Sequence, residues 1–188
     1  MFYGCSSLIS IDLSNFSISN VNNMASMFNG CSSLLSLDLS SFDTSKVEKM
    51  DNMFNGCSSL TSLDLSNFDT SRVTKIHNMF NDCSSLLSLD LSNFHISNIK
   101  NKNNIFSNCN NLEYINIKNY DGIDIFNTIP DIENLIICMD KFDEIDSNSL
   151  KVNGAKNNCS NICFQKPIIL NFYEFSYKFI IYFILISN

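Results

Sequence analysis

One string of residues recurs along this chain at a fixed interval. Met53-Phe54-Asn55-Gly56-Cys57-Ser58-Ser59-Leu60 is matched 26 residues earlier by Met27-Phe28-Asn29-Gly30-Cys31-Ser32-Ser33-Leu34. The same interval forward reaches Met79-Phe80-Asn81-Asp82-Cys83, then Leu86, Leu89-Asp90-Leu91 and Phe94. Further copies lie at Met1 to Phe16 and Ile105 to Tyr120. A period in the range of roughly 20 to 50 residues implies stacked units, because one such unit cannot bury its own apolar face.

The unit reads as a helix followed by a strand. Val47, Met50, Met53 and Phe54 recur at steps of three, three and one, which predicts one helical face. Thr44 and Ser45 are positioned to accept hydrogen bonds from the first turn. Gly56 follows where a left-handed residue would stop the helix; Asp82 and Asn108 take that place in later copies. Leu63 and Leu65 alternate with Ser62, Asp64 and Ser66, which predicts a strand with Leu inward. One helix and one strand per unit, always in the same order, predicts parallel strands stacked along an axis.

Composition narrows the function. The net charge of −7 argues against nucleic acid, whose phosphates demand a basic footprint. Eight cysteines suggest a disulfide framework until their spacing is read. Cys5, Cys31, Cys57, Cys83 and Cys109 fall on the period, as a column of small packed side chains would. Cys138, Cys159 and Cys163 are off it, so these three would report an oxidising compartment.

The string from Met53 through Gly56-Cys57-Ser58-Ser59-Leu60 and Leu63-Asp64-Leu65-Ser66-Asn67-Phe68-Asp69-Thr70-Ser71 to Val73 closely resembles the 26-residue bacterial surface protein repeat. That repeat belongs to the BspA-like leucine-rich group. The resemblance implies an α/β solenoid: a leucine-rich-repeat-like, right-handed stack of helix–strand units with a parallel sheet on one face. It also implies surface attachment and adhesion to host or matrix proteins. Phe42, Phe68 and Phe94 stand where ordinary leucine-rich repeats place Asn, so an aromatic spine is expected in place of a hydrogen-bonding Asn ladder.

The repeats cover residues 1–120, about four and a half units, and the chain starts in mid-unit, which predicts that the array's natural start is missing. In 121–140, Ile132, Leu135 and Ile137 repeat the strand spacing of Leu112, Ile115 and Ile117 at a displacement of 20, as a shortened last repeat or cap would. Residues 141–166 lose periodicity and read as a loop-rich, Cys-containing segment. Asn158-Cys159-Ser160 and Asn15-Phe16-Ser17 are formal glycosylation sequons, a weak signal in a chain rich in Asn and Ser. The apolar tail, 167–188, has at 168–186 about the length that crosses a bilayer. Glu174 and Lys178 oppose that reading, since central charges cost roughly 2.5–3.5 kcal/mol each. A membrane anchor, a packed cap element and a reading-frame or splicing artefact all stay open for it.

Catalytic signals are missing. His77 and His95 have no repeat-equivalent His and no evident Cys or Ser partner, and both read as surface residues. No Gly-rich phosphate loop, CxxC pair or nucleophile elbow is present. No catalytic, cofactor or metal residue is therefore assigned, and the chain is not expected to be an enzyme. The repeated exposed group is the outward triplet: Ser10, Asp12, Ser14; Ser36, Asp38, Ser40; Ser62, Asp64, Ser66; Ser88, Asp90, Ser92. Adjacent Asp side chains on a parallel stack would lie about 4.8 Å apart. They would repel by about 0.9 kcal/mol in water and about 3.5 kcal/mol at an effective dielectric constant of 20. The column reads as a solvated concave face, a surface for a basic partner, or weak divalent-cation sites between rungs. The function expected is a non-enzymatic cell-surface adhesion module that binds a protein partner through this concave face. A structural spacer within a longer surface protein and an intracellular leucine-rich-repeat scaffold are the alternatives.

Overall fold

The computed structural model describes residues 1–95 and 99–117, then 129, 132 and 135–139, with the backbone of 162–165. The apolar tail, the Asn158-Cys159-Ser160 sequon, and most of 121–140 and 141–166 lie outside the described residues.

Each 26-residue unit is hydrogen-bonded to the next. The N–H of Met24, Ser26, Phe28 and Gly30 donate to the C=O of Lys49, Asp51, Met53 and Asn55, at 2.9, 2.9, 2.9 and 2.7 Å. Met50, Asn52, Phe54 and Gly56 repeat this toward Lys75, His77, Met79 and Asn81. The following unit does so again, from Ile76, Asn78, Phe80 and Asp82 to Asn101, Asn103, Ile105 and Ser107. Parallel backbone bridges join Asn23, Lys49, Lys75 and Asn101 in one ladder.

This bonding corrects the expected helix. Residues 51–56 form successive turns, and no helix occurs among the described residues. Alternate N–H groups leave for the neighbouring unit, so an i→i−4 ladder cannot form. The intervening groups close four-residue turns, with Met53 N–H to Met50 C=O at 3.2 Å and Asn55 N–H to Asn52 C=O at 3.2 Å. Consecutive turns put every third residue inward, which mimics a helical period. Val47, Met50, Met53 and Phe54 are accordingly all fully buried.

Two left-handed positions per unit bend the chain. Gly30 and Gly56 have φ of 77° and 73°, and Asp82 and Asn108 keep the conformation at 58° and 62°. A Cβ on Gly56 would also meet Gly30 Cα at 3.5 Å. The second position, Ser26, Asn52, Asn78 and Asn104, has φ between 54° and 57°. Asn tolerates that region because its short side chain bonds locally.

The sheet is parallel for three strands, β1 (Ser88–Asp90), β2 (Tyr114–Asn116) and β3 (Ile136–Met139), in that order. The strand expected at Leu63 is reduced to one bridge from Ser62 to Ser88. The β2–β3 register pairs Ile115 with Ile137, a displacement of 22 rather than 20. The parity is unchanged, so Ile115 and Ile137 both stay buried. A fourth strand, β4 (Ile162–Gln165), pairs antiparallel to β3, where only loop was expected. Its four residues are too few to show a period. Cys138 is disulfide-bonded, and the Cα register sets Cys163 opposite it.

The core is built of columns, one residue per unit. Phe2, Phe28, Phe54, Phe80 and Phe106 stack with ring centroids 5.4, 5.9, 5.7 and 5.8 Å apart and planes within 12°. Phe42, Phe68 and Phe94 are buried too, but they do not displace the Asn ladder as expected. The ladder sits one residue earlier. Asn67 Nδ2 donates to the C=O of Leu39, Ser40 and Phe42 at 3.0, 3.3 and 3.1 Å. Asn93 Nδ2 does the same to Leu65, Ser66 and Phe68. Thr44 also bonds between units rather than capping a helix: its Oγ1 accepts from Asp69 N–H at 2.8 Å and donates to Asp69 C=O at 3.1 Å.

Phe54→Ala is expected to cost about 3–5 kcal/mol, as deletion of a buried ring does. Asn67→Ala should cost less, about 1 kcal/mol, for lost hydrogen bonds at a partly wet site. Urea unfolding followed by circular dichroism measures both.

Candidate binding surface

The Ser/Asp/Ser triplets come out as one surface. Ser10, Asp12, Ser14, Ser36, Asp38, Ser40, Ser62, Asp64, Ser66, Ser88 and Asp90 are exposed, and Ser92 is half-buried. Between them Leu13, Leu37, Leu39, Leu63, Leu65, Leu89 and Leu91 point into the core. The alternation in the sequence thus separates one wet face from one dry face.

Each Asp is held by its own turn. Asp12 Oδ1 accepts from Ser14 N–H, Asp38 Oδ1 from Ser40 N–H and Asp64 Oδ1 from Ser66 N–H, each at 2.9 Å. Asp90 Oδ1 accepts from Ser92 N–H at 2.8 Å. An Asp that takes the N–H two residues on competes with the strand ladder, which explains why the strands are so short. The amide and hydroxyl of Ser14 hold the Asp12 carboxyl below the usual range. For Asp38 the hydroxyl and then the amide of Ser40 do so, and for Asp64 the amide and then the hydroxyl of Ser66. Repulsion from the Asp of the preceding unit acts in the opposite direction and is the smallest contribution on Asp38 and Asp64. Hydrogen bonding therefore outweighs the carboxylate–carboxylate repulsion.

The column ends at Asn116, which pairs with Asp90 in register and donates from Nδ2 to Asp90 Oδ2 at 3.2 Å. Asn116 is buried, and its Oδ1 has no hydrogen-bond partner. A recess of about 90 Å³ lies between two units, lined by Leu37, Asp38, Leu39, Ser40, Asp64, Ser66 and Asn67. Two flanking features went unread in the sequence. Asp43 and Asp69 form a second acidic column, each held below its usual range by the hydroxyl and amide of Ser45 and Ser71. On the other side, Ile9, Leu35 and Leu87 are exposed large apolar residues. Their signal was the same 26-residue spacing, broken by Thr61.

Of the periodic cysteines, Cys31, Cys57, Cys83 and Cys109 are buried free thiols, but Cys5, expected in the same packed column, is exposed because no described unit stacks over the first one. The Sγ atoms of the four buried thiols donate to the C=O of Phe2, Phe28, Phe54 and Phe80 at 3.0–3.2 Å. Burial pushes the Cys57 and Cys109 thiols up to about 12, so neither is a nucleophile near neutral pH. His95 is exposed, as expected. His77 is not: it is half-buried, and its Nδ1 is buried without a hydrogen-bond partner because its segment turns inward beside Asn52, 3.5 Å from Nε2. Among the described residues no three His, Cys, Asp or Glu side chains gather as a metal site requires. Among the same residues no helix is long and apolar enough to cross a membrane.

The profile of one family, Mycoplasma protein of unknown function, DUF285, matches residues 1–120. The chain belongs to the DUF285 family. DUF285 is a repeat family related to the BspA-like surface repeats but is not the same family. No curated protein and no solved structure matched the chain. The DUF285 match ends at residue 120, where the 26-residue period also ends.

Because their folded pKa values are depressed, Asp12, Asp38 and Asp64 contribute stability above the unfolded carboxyl value of about 3.9. That contribution disappears as pH falls through the lower folded values. The melting temperature of the DUF285 chain should accordingly fall on acidification below about pH 4. A triple Asp12→Asn, Asp38→Asn, Asp64→Asn chain should show a flatter profile in the same thermal scans.

Proposed function

We propose that this DUF285 chain is a non-enzymatic binding module at a cell surface, built as a solenoid of stacked repeats in the manner of the BspA-like proteins. The observation that carries the reading is the exposed Ser/Asp/Ser face, repeated unit after unit with its carboxylates fixed by their own turns. Repeat stacks offer extended faces of this kind to protein partners. The partner is a host or matrix protein with a basic surface, because ionised Asp columns favour positive charge through steering and many modest contacts. Nucleic acid is disfavoured by the same charge. The disulfide at Cys138 supports an oxidising, extracellular location and weighs against an intracellular scaffold. Attachment to the membrane falls to residues 168–186, outside the described residues.

A second reading is a structural spacer. It is favoured by the uniformity of the Asp column and by the use of each Oδ1 to hold a turn. A selective ligand would demand variation along the face.

The deciding measurement is binding of the full chain to immobilised matrix proteins by biolayer interferometry. The adhesion reading expects salt-sensitive binding that falls at least about tenfold, roughly 1.4 kcal/mol, when Asp38, Asp64 and Asp90 become Asn. Binding that is absent, or indifferent to those changes, leaves the spacer. The location is tested separately by alkylating the native chain under non-reducing conditions. Cys138 should be found oxidised, while Cys31, Cys57, Cys83 and Cys109 should label only after unfolding.

A further inference from the structure

We infer that the Ser/Asp/Ser wall also takes a second copy of this chain, docked through a different, basic wall of the same stack. The inference rests on the reading of the Ser/Asp/Ser wall as a binding face and names one partner for it.

Charge is segregated around each unit. From residue 9 to 17, and in the equivalent stretches 35–43, 61–69 and 87–95, no Lys or Arg occurs. These stretches carry Asp12, Asp38, Asp43, Asp64, Asp69 and Asp90, all exposed. The exposed Lys46, Lys49, Arg72, Lys75 and Lys100 lie on the segment that follows. Of the acids on this segment, Glu48 is paired across units with Arg72 at 3.8 Å, and Asp51, two residues from Lys49, is half-buried. Buried Leu37 and Leu39 underlie the acidic wall, and buried Val47 and Met50 underlie the basic one. The two walls are therefore separate outer surfaces over one core.

Spacing makes the walls complementary. Lys49 and Lys75 sit on a parallel backbone ladder from Asn23 to Asn101. Ser62 and Ser88, flanking Asp64 and Asp90, are bridged in parallel as well. Both ladders advance by one 26-residue unit per rung, about 4.8 Å in parallel β pairing. An unrelated partner has to match that spacing by chance, whereas a second copy matches it by construction. Lys49 and Lys75 can each face a carboxylate on neighbouring rungs of the other copy. The exposed Leu35 and Leu87 at the margin of the acidic wall add apolar contact. Joining two different walls is a heterologous contact, so pairing leaves one free wall of each kind and can continue into open arrays.

Sedimentation velocity of the full chain tests this. At about 20 mM salt the wild-type mass should rise above the 21.3 kDa monomer with concentration. At about 1 M salt, where the screening length is about 3 Å, it should return to the monomer. An Asp38→Asn, Asp64→Asn, Asp90→Asn chain and a Lys49→Gln, Lys75→Gln chain should each stay monomeric. Asn can keep the turns, since Asn23 Oδ1 already accepts from Ala25 N–H at 2.9 Å. An equimolar mixture of the two variants should form a heterodimer, because one keeps the basic wall and the other the acidic wall. A monomeric wild type, association indifferent to salt, association that survives in both variants, or a mixture that stays monomeric would each overturn the inference. Matrix binding by a strictly monomeric wild type sinks only this inference; self-association without matrix binding sinks only the adhesion reading.

Discussion

Everything in this chain depends on alternate backbone N–H groups bonding to the next unit rather than within their own. From Met50 to Gly56, every second N–H crosses to residues 75–81. A backbone that spends half its donors on its neighbour has no i→i−4 ladder to form a helix. It must turn tightly instead, and left-handed Asn52 and Gly56 supply the bends. Once each rung is locked to the next, equivalent side chains are forced into contact. The stacked Phe column, the buried Cys column and the Asn67 and Asn93 ladder are consequences of that constraint.

The same constraint explains the chemistry of the exposed face. A repeated Asp brings carboxylates together at rung spacing, which is costly unless something offsets the repulsion. Here the Ser two residues on provides an amide and a hydroxyl to Asp38 and Asp64, and these outweigh the neighbouring charge. The Asp column is thus part of the turn that ends each strand as well as a charged surface. That double role is why the adhesion and spacer readings rest on the same atoms. The thiol column is the counterpart inside the core: burial raises the thiols of Cys31, Cys57, Cys83 and Cys109, and each donates to a carbonyl of the preceding unit.

Much of this was legible in residue spacing. The 26-residue period placed Leu63 and Leu65 inward and the Ser/Asp/Ser triplets outward, and it identified Cys31, Cys57, Cys83 and Cys109 as packing, though not Cys5, which is exposed. It also marked Gly56, Asp82 and Asn108 as left-handed positions. The helix was misread because turns closing every three residues bury Val47, Met50 and Met53 at a spacing close to a helical one. The Asn ladder is hidden in the spacing because Phe42, Phe68 and Phe94 take the position that ordinary leucine-rich repeats give to Asn, while Asn67 and Asn93 reach the preceding unit's carbonyls from one residue earlier. His77 was placed outside for the same reason that the helix was expected: a helical face would have exposed it.

By itself the sequence determined the period, the inward and outward residues of each unit, and the charge of each column, because identical units must present identical side chains. It did not determine which hydrogen bonds the backbone would choose. A local spacing of three and four suits both a helix and a run of turns, and the choice is made by the neighbouring unit's carbonyls. The 22-residue register of β3 on β2 and the antiparallel β4 were likewise decided only by tertiary structure. Each depends on pairing between segments far apart in the chain, which no single unit encodes.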